Sequence, residues 1–488
     1  MKRLDAGHVG APSGSAEGTS ASVRWALAGL SLSMLLSSLG TSTANVGLPT
    51  LAQVFSASFQ QVQWIVLAYL LAITTLIVSV GRLGDMIGRR RLLLSGISLF
   101  TVASVLCGLA PTLWLLIAAR AAQGLGAATM MALTMAFVGE TVPKARTGSA
   151  MGLLGTMSSI GTALGPSLGG LLLAGPGWRA IFLVNAPLGV LALFLARRHL
   201  PADRRDAKSG RGRFDHVGTL LLALTLGAYA LAMTVGRGSF GPLGIALLLT
   251  AVLGAGLFVR AEARAASPLI RLAVFRDPLL SASLGTSALV STVMMTTLVV
   301  GPFYLSRALG LGEALVGLVL SVGPLVAALT GVPAGRIADR FGAHRITVAG
   351  LAGVAVGCGA LSLTSVTLGV AGYILPLVVT TAGYAVFQTA NNTAVMADVG
   401  PDQRGVISGV LNLSRNLGLV TGASVMGAVF ALASATTDVT TAHPGAVAHG
   451  MRITFAVAAT LIVAAIALAV GGRTLARRRP GGRRYPGA

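Results

Sequence analysis

Arg120 and Arg415 stand inside long apolar runs, where ionised side chains are scarce. A guanidinium in a hydrocarbon-like medium costs about 3 kcal/mol even on the gentlest scales, so it is kept for function or to grip a neighbouring backbone. Arg120 opens "RAAQGLG" (120–126), which puts Gln123 one helical turn away and follows it with Gly124 and Gly126. Other apolar runs carry uncharged polar groups: Thr41, Ser42 and Asn45 in the first, Gln388, Asn391 and Asn392 later, and Asn416 beside Arg415. Ser42, Asn45, Gln388, Asn391 and Arg415 are candidates for hydrogen bonding a small polar molecule, with Asn45 and Asn391 foremost. Met294, Met295, Tyr304, Tyr384 and Phe387 would supply adaptable apolar walls. The alternative for each polar residue is a hydrogen bond between helices.

Other chemistry is poorly represented. No clustered histidines, carboxylate pair or nucleophile–base set falls at the depth of these runs, which argues against an enzyme. Cys107 and Cys358 read as small buried hydrophobes, and the six histidines fall in loops, tails or helix ends, so no metal or cofactor is expected. The loop G-x-x-x-x-G-K-[ST] is absent, so direct use of ATP is not expected.

The elements that must position these residues follow from composition. Apolar residues make up 54% of 488 and charged residues 10%, with a mean hydropathy of +0.82. A water-soluble chain could not cover that much oil with so little charge. Apolar stretches of about 18 or more residues recur throughout, without the alternation of a membrane barrel, so the fold class is an all-α polytopic membrane protein. We count 14 transmembrane helices, starting near 25, 60, 92, 112, 148, 179, 216, 241, 279, 314, 346, 368, 405 and 452. The Gly/Ser/Ala-rich residues 1–23 read as a disordered N-tail, not a cleavable leader, and 434–450 reads as a polar external loop.

Charge orients the chain. Of 36 Lys and Arg residues, 30 fall in the two tails and the loops on their side; only Arg179, Arg237, Arg307 and Arg452 fall on the other. That asymmetry places both termini in the cytoplasm. It also explains the net charge of +22 as contact with anionic lipid headgroups, and nucleic acid is not expected as a partner because the charge is spread over many loops.

Two of those loops are nearly the same. "GRLGDMIGRRR" (81–91) and "GRIADRFGAHR" (335–345) share the spacing of Gly, Arg, Asp and Gly. Further on, Gly152, Gly161, Gly165 and Gly170 match Gly409, Gly418, Gly422 and Gly427, each 257 positions later. The charged turns follow helices 2 and 10, so two helices are inserted between six-helix halves, a 6+2+6 plan. The expected segments are 1–23 (N-tail), 24–198 (first bundle), 199–213 (linker), 214–260 (inserted pair), 261–278 (loop), 279–472 (second bundle) and 473–488 (basic C-tail). Parallel halves of this kind hold substrates between them near the midplane.

On these residues the chain resembles the major facilitator superfamily, specifically its 14-helix drug:proton antiporters, over roughly residues 24–472. Three motifs carry the likeness. The first is the charged turn: Gly81, Asp85, Gly88, Arg89, Arg90 and Arg91, with its second copy at Gly335, Arg336, Asp339, Gly342 and Arg345. Its glycines permit a tight turn and its arginines bridge to carboxylates and helix C-termini; the resemblance makes it the latch of the outward-facing state. The second is R-x-x-Q-G-x-G at Arg120, Gln123, Gly124 and Gly126, which the resemblance ties to proton coupling; the plainer reading is an arginine holding helix 4 to carbonyls of helix 1. The third is the antiporter motif Gly152, Gly161, Gly165, Pro166, Gly169 and Gly170 in helix 5, whose small residues let helices approach closely. "GWRAIFLVNAPLG" (177–189) resembles another marker of the 14-helix group.

One position departs. Relatives commonly carry an acid two places before Ser42; here it is Gly40. None of the 14 acidic residues lies clearly mid-membrane, and only Asp85, Glu140, Glu313 and Asp398 are near enough to carry a proton. A permanent cation would find no buried carboxylate, whereas Arg120 and Arg415 would suit neutral, zwitterionic or anionic substrates. The resemblance therefore implies a secondary exporter of small organic compounds, a multi-pass inner-membrane monomer coupled to protons. The alternatives are a proton-coupled transporter of one organic anion or metabolite, and a membrane sensor or scaffold.

Overall fold

The computed structural model describes residues 14–77, 79–141, 147–202, 215–235, 241–265, 277–396, 404–434 and 442–478. Among them are 14 helices long and apolar enough to cross a membrane. They are α1 (Val23–Val46), α2 (Phe59–Leu76), α3 (Arg89–Leu109), α4 (Leu113–Val138), α5 (Leu153–Ala174), α6 (Ala180–His199), α7 (His216–Val235), α8 (Pro242–Arg264), α9 (Pro278–Ala308), α10 (Glu313–Gly331), α11 (Ala343–Leu363), α12 (Val366–Met396), α13 (Val410–Ala433) and α14 (Pro444–Thr474). No strand occurs among the described residues.

Local chemistry sets the ends. Ser58 and Gln61 form a reciprocal capping box at the start of α2. The Asp277 carboxylate accepts from the Leu279 and Leu280 amides at the start of α9, with Pro278 first in the helix. Two boundaries differ from the sequence expectation. The helix containing α1 reaches back to Gly14, into the expected N-tail. α14 begins at Pro444, inside the expected loop 434–450. Proline lacks an amide hydrogen that a first turn could not use anyway, and the Gly445 amide is met by Nδ1 of His443 at 3.2 Å. Most of the linker 199–213 and the loop 261–278 lies outside the described residues.

Packing divides the molecule into an end that carries the charged turns (the basic end) and the opposite end. At the opposite end one apolar core includes Phe59 of α2, Phe182 of α6, Phe303 of α9 and Phe430 of α13, so it is shared by both six-helix halves. At the basic end the halves have separate cores: Leu93, Phe137 and Leu154 in the first, Leu284, Ile407 and Leu413 in the second. The inserted α7 lies along the seam between α2 and α13. Trp64 Nε1 donates to Thr234 Oγ1 at 3.1 Å, the Ser79 and Thr219 hydroxyls are 3.0 Å apart, and Tyr229 reaches Thr421 and Ser424. α8 sits outside it and exposes Leu249, Val252 and Leu253, a face suited to lipid.

Candidate functional site

Four helices converge on Arg120. Its side chain is buried, at 1% exposure. Nε donates to the Ile65 carbonyl at 2.9 Å, and Nη1 donates to the Gly40 carbonyl at 3.0 Å and to Gln123 Oε1 at 2.6 Å. The guanidinium carbon lies 4.1 Å from the centre of the Tyr69 ring. Gln123 is held in turn by Ser104 Oγ of α3, to which its Nε2 donates at 2.7 Å. Tyr69 donates its hydroxyl to the Ser37 carbonyl at 2.8 Å. The charge is thus solvated by backbone and amide oxygens and by a π face, with no carboxylate bonded to it among the described residues. Nη2 is buried without a hydrogen-bond partner among the described residues.

The glycines beside Arg120 bring these helices together. A methyl on Gly124 would lie 2.5 Å from the Tyr69 carbonyl of α2, and one on Gly126 would lie 2.7 Å from the Gly96 carbonyl of α3. Gly40 itself faces the cluster: a methyl there would sit 3.0 Å from the Tyr69 hydroxyl and 3.3 Å from the Phe100 ring. The position where the resemblance implied an acid is therefore the one whose carbonyl Arg120 grips. Tyr69 and Ser104 belong to this cluster although sequence reasoning had not singled them out; a tyrosine or serine on a buried helix face gives no signal until its neighbour is known.

The polar residues expected along a pathway are distributed differently. Ser42 is fully buried between α1 and α5, its hydroxyl donating to the carbonyls of Ser38 at 3.2 Å and Gly161 at 3.4 Å. Asn45 is 1% exposed, its Nδ2 donating to the Thr41 carbonyl at 3.0 Å while Oδ1 has no partner. Asn391 is 2% exposed with Nδ2 unpartnered. Gln388 and Arg415 are half-buried, and Asn392 is exposed. No described hydrogen bond joins Ser42, Asn45, Gln388, Asn391 and Arg415 to one another.

The glycines of helix 5 make two interfaces. Gly161, Gly165 and Gly169 face α1, at Leu35, Ser42 and Thr43. Gly170 faces the other half: a methyl there would lie 2.7 Å from the Glu313 carbonyl and 2.9 Å from the Gly317 Cα of α10. The repeat reproduces this. Gly418 and Gly422 face α9, at Ala288 and Thr292, while Gly427 faces Gln63 of α2, again across the halves. Side chains close the same end. Thr50 donates to Glu313 Oε1 at 2.5 Å, Gln63 Nε2 donates to the Ala423 carbonyl at 2.9 Å, and Phe59 packs edge-on against Phe303 and Phe430 at 4.8 and 5.5 Å. Sequence had marked Glu313 as an acid at the start of helix 10; Thr50, Gln63 and Gly317 had no motif to mark them.

At the basic end, Gly88 has φ 104° and Gly342 has φ 89°, each joining two helices in a conformation that L-residues avoid. Arg90 Nη2 donates to the Arg197 carbonyl in the last turn of α6 at 2.5 Å, the arginine-to-helix-end bridge expected of this turn. Gly81 and Gly335 lie in helices, with no close neighbour for a methyl on Gly81 and only Thr389 near Gly335. The side chains of Asp85, Asp339 and Glu140, the packing of Gly152, and Asp398 lie outside the described residues. Among the described residues no group of three or more His, Cys, Asp and Glu is placed to hold a metal.

The family profile described as Major Facilitator Superfamily matches residues 30–423. The Multidrug resistance protein Stp of Mycobacterium tuberculosis is 34% identical over 414 residues, which is 83% of this chain and 74% of that protein. The Riboflavin transporter RibZ of Clostridioides difficile is 31% identical over 82% of this chain and 86% of its own. Among solved structures, a bacterial homologue of the human lysosomal transporter Spinster, inward-facing and unoccupied, superposes with a TM-score of 0.69 at 17% identity, covering 94% of this chain and 99% of that one.

Proposed function

The chain belongs to the Major Facilitator Superfamily, and from that premise we propose a secondary exporter of small organic compounds that works by alternating access and proton antiport. It is a multi-pass membrane transporter, not an enzyme. In this reading it is a monomer in the inner membrane with both termini and the basic end in the cytoplasm, where 30 of 36 Lys and Arg residues fall. Separate cores at the basic end and a shared core at the other then correspond to a state closed to the outside.

The substrates are neutral, zwitterionic or anionic. The observation that carries this is the buried Arg120, with Nη2 unpartnered among the described residues and no acid at position 40. A permanent cation brought beside that guanidinium would be repelled in a low-dielectric setting. Likeness to Stp supports drug-like cargo. Likeness to RibZ supports a second reading, transport of one specific metabolite or organic anion. The proton carrier is sought among Asp85, Glu140, Glu313 and Asp398.

The test is a susceptibility and accumulation panel in a host stripped of its own efflux pumps, covering lipophilic cations, neutral drugs and organic anions. Protection against neutral or anionic compounds that vanishes when the proton gradient is collapsed supports the exporter. Strong protection against permanent cations overturns the charge argument. No protection against any drug moves the reading to the single-metabolite transporter.

A further inference from the structure

Three helices of the first half bring cations together at the basic end. The start of α1 contributes Arg24 and Trp25, the start of α3 contributes Arg90 and Arg91, and the last turn of α6 contributes Arg197, Arg198 and His199. Their closeness is fixed by contacts. Arg90 reaches the Arg197 carbonyl, and the Trp25 and His199 rings stack with centroids 6.1 Å apart at 27°. Gly29 lets α1 approach α6 so closely that a methyl on it would lie 3.1 Å from Leu195 Cβ. Arg24, Arg197 and Arg198 are exposed and meet no carboxylate among the described residues.

Apolar surface continues down the same helix face. Val190, Leu191 and Phe194 are 58%, 47% and 63% exposed, and with Arg197 and Arg198 they recur at three- and four-residue spacing, so they form one stripe on α6. The stripe passes from bare hydrocarbon to guanidinium within about two turns, and the half-exposed Trp25 stacks on His199 at its basic end. That order of polarity is the order within a phospholipid: acyl chains, then glycerol, then phosphate. Guanidinium forks match a phosphate's oxygens. The first turn of α3 adds its amide dipoles, and Arg90 already occupies one carbonyl at the α6 terminus that would otherwise repel an anion.

We infer that this ledge is a binding site for the headgroup of an anionic glycerophospholipid, whose acyl chains lie along Val190, Leu191 and Phe194. The inference goes beyond the transport reading and does not depend on it. The lipid joins the ends of α1, α3 and α6, and so braces the first half alone.

The purified protein is tested in detergent by native mass spectrometry, with dioleoylphosphatidylglycerol and dioleoylphosphatidylcholine added at equal concentration. Wild type is expected to retain the anionic lipid at least five-fold better, and the preference is expected to fall to about one in the double variant Arg197→Gln, Arg198→Gln. The control double variant Arg260→Gln, Arg264→Gln removes the same charge from exposed positions on α8 and is expected to keep the preference. Inorganic phosphate at millimolar concentration is expected not to displace the lipid; displacement would assign the site to a free anion and overturn the proposal. Equal retention of the two lipids by wild type, or equal loss in both double variants, would overturn it as well. The wild-type comparison needs no variant to fold.

Discussion

Nη1 of Arg120 donates to the carbonyl of Gly40 at 3.0 Å, so the one charged side chain buried in the first half among the described residues rests on a glycine. Arg120→Ala removes a second donor from the Ile65 and Gly40 carbonyls, which keep their own helical hydrogen bonds, and leaves Gln123 Oε1 without its guanidinium partner. It is expected to cut transport at least ten-fold and to lower the melting temperature in detergent. Arg120→Lys keeps the charge but not the fork that spans α1, α2 and Gln123, and is expected to fall between. Efflux from vesicles, normalised to protein amount, measures both; a lysine variant equal to wild type would remove the fork from the mechanism.

Gly40→Asp gives the guanidinium a carboxylate. The methylene meets the Tyr69 hydroxyl at 3.0 Å and the Phe100 ring at 3.3 Å, so a few tenths of an ångström of adjustment are needed. The expected outcome is a gain of protection against lipophilic cations and a loss against organic anions, read as opposite shifts of inhibitory concentration in the same strain.

Thr50 and Glu313 join the halves at the end opposite the charged turns. Glu313→Gln replaces a charged acceptor by a neutral one, and hydrogen bonds to charged groups are about twice as strong. The variant is expected to populate the state open at that end more often than wild type. Spin labels on the first turns of α2 and α10 would report a longer-distance population in Glu313→Gln and in Thr50→Val, with the double variant no worse than either.

Gly317 has a twin that serves as its control. A side chain on Gly317 meets Gly170 across the halves, whereas Gly331 on the same helix has open space around it. Gly317→Val is expected to abolish transport by wedging the closed end apart, and Gly331→Val to leave at least half of it. Equal loss from both would point to helix destabilisation instead of closure.

Gly88→Ala and Gly342→Ala force a side chain into positive φ with extended ψ, at about 1–3 kcal/mol each. Both are expected to lower the melting temperature by a few degrees, and by similar amounts, because the two turns are the same turn in two halves. Differential scanning fluorimetry decides this.

Much of the architecture was readable because apolar length and arginine position report directly on membrane crossing. The repeat was readable too: Gly161 and Gly418, 257 positions apart, do the same work against α1 and α9. The Arg120 cluster was half readable. A buried charge announces itself, but its acceptors are the carbonyls of Ile65 and Gly40, and every residue has a carbonyl. The closure was mostly hidden for a similar reason. Thr50, Gln63 and Gly317 are ordinary residues made important by what the other half brings against them. α14 was placed late because Ala, Gly and His in 444–450 lack hydrophobicity, although a helix start needs none.

The inserted α7 gives the protein two unlike flanks. Along one, α7 fills the groove between α2 and α13, with α8 beyond it; along the other, α5 and α10 are themselves the wall. A compound dissolved in the bilayer meets a double partition on the first flank and a single one on the second. The interior is therefore shielded unequally, two helices deep from the bilayer on one side and one helix deep on the other.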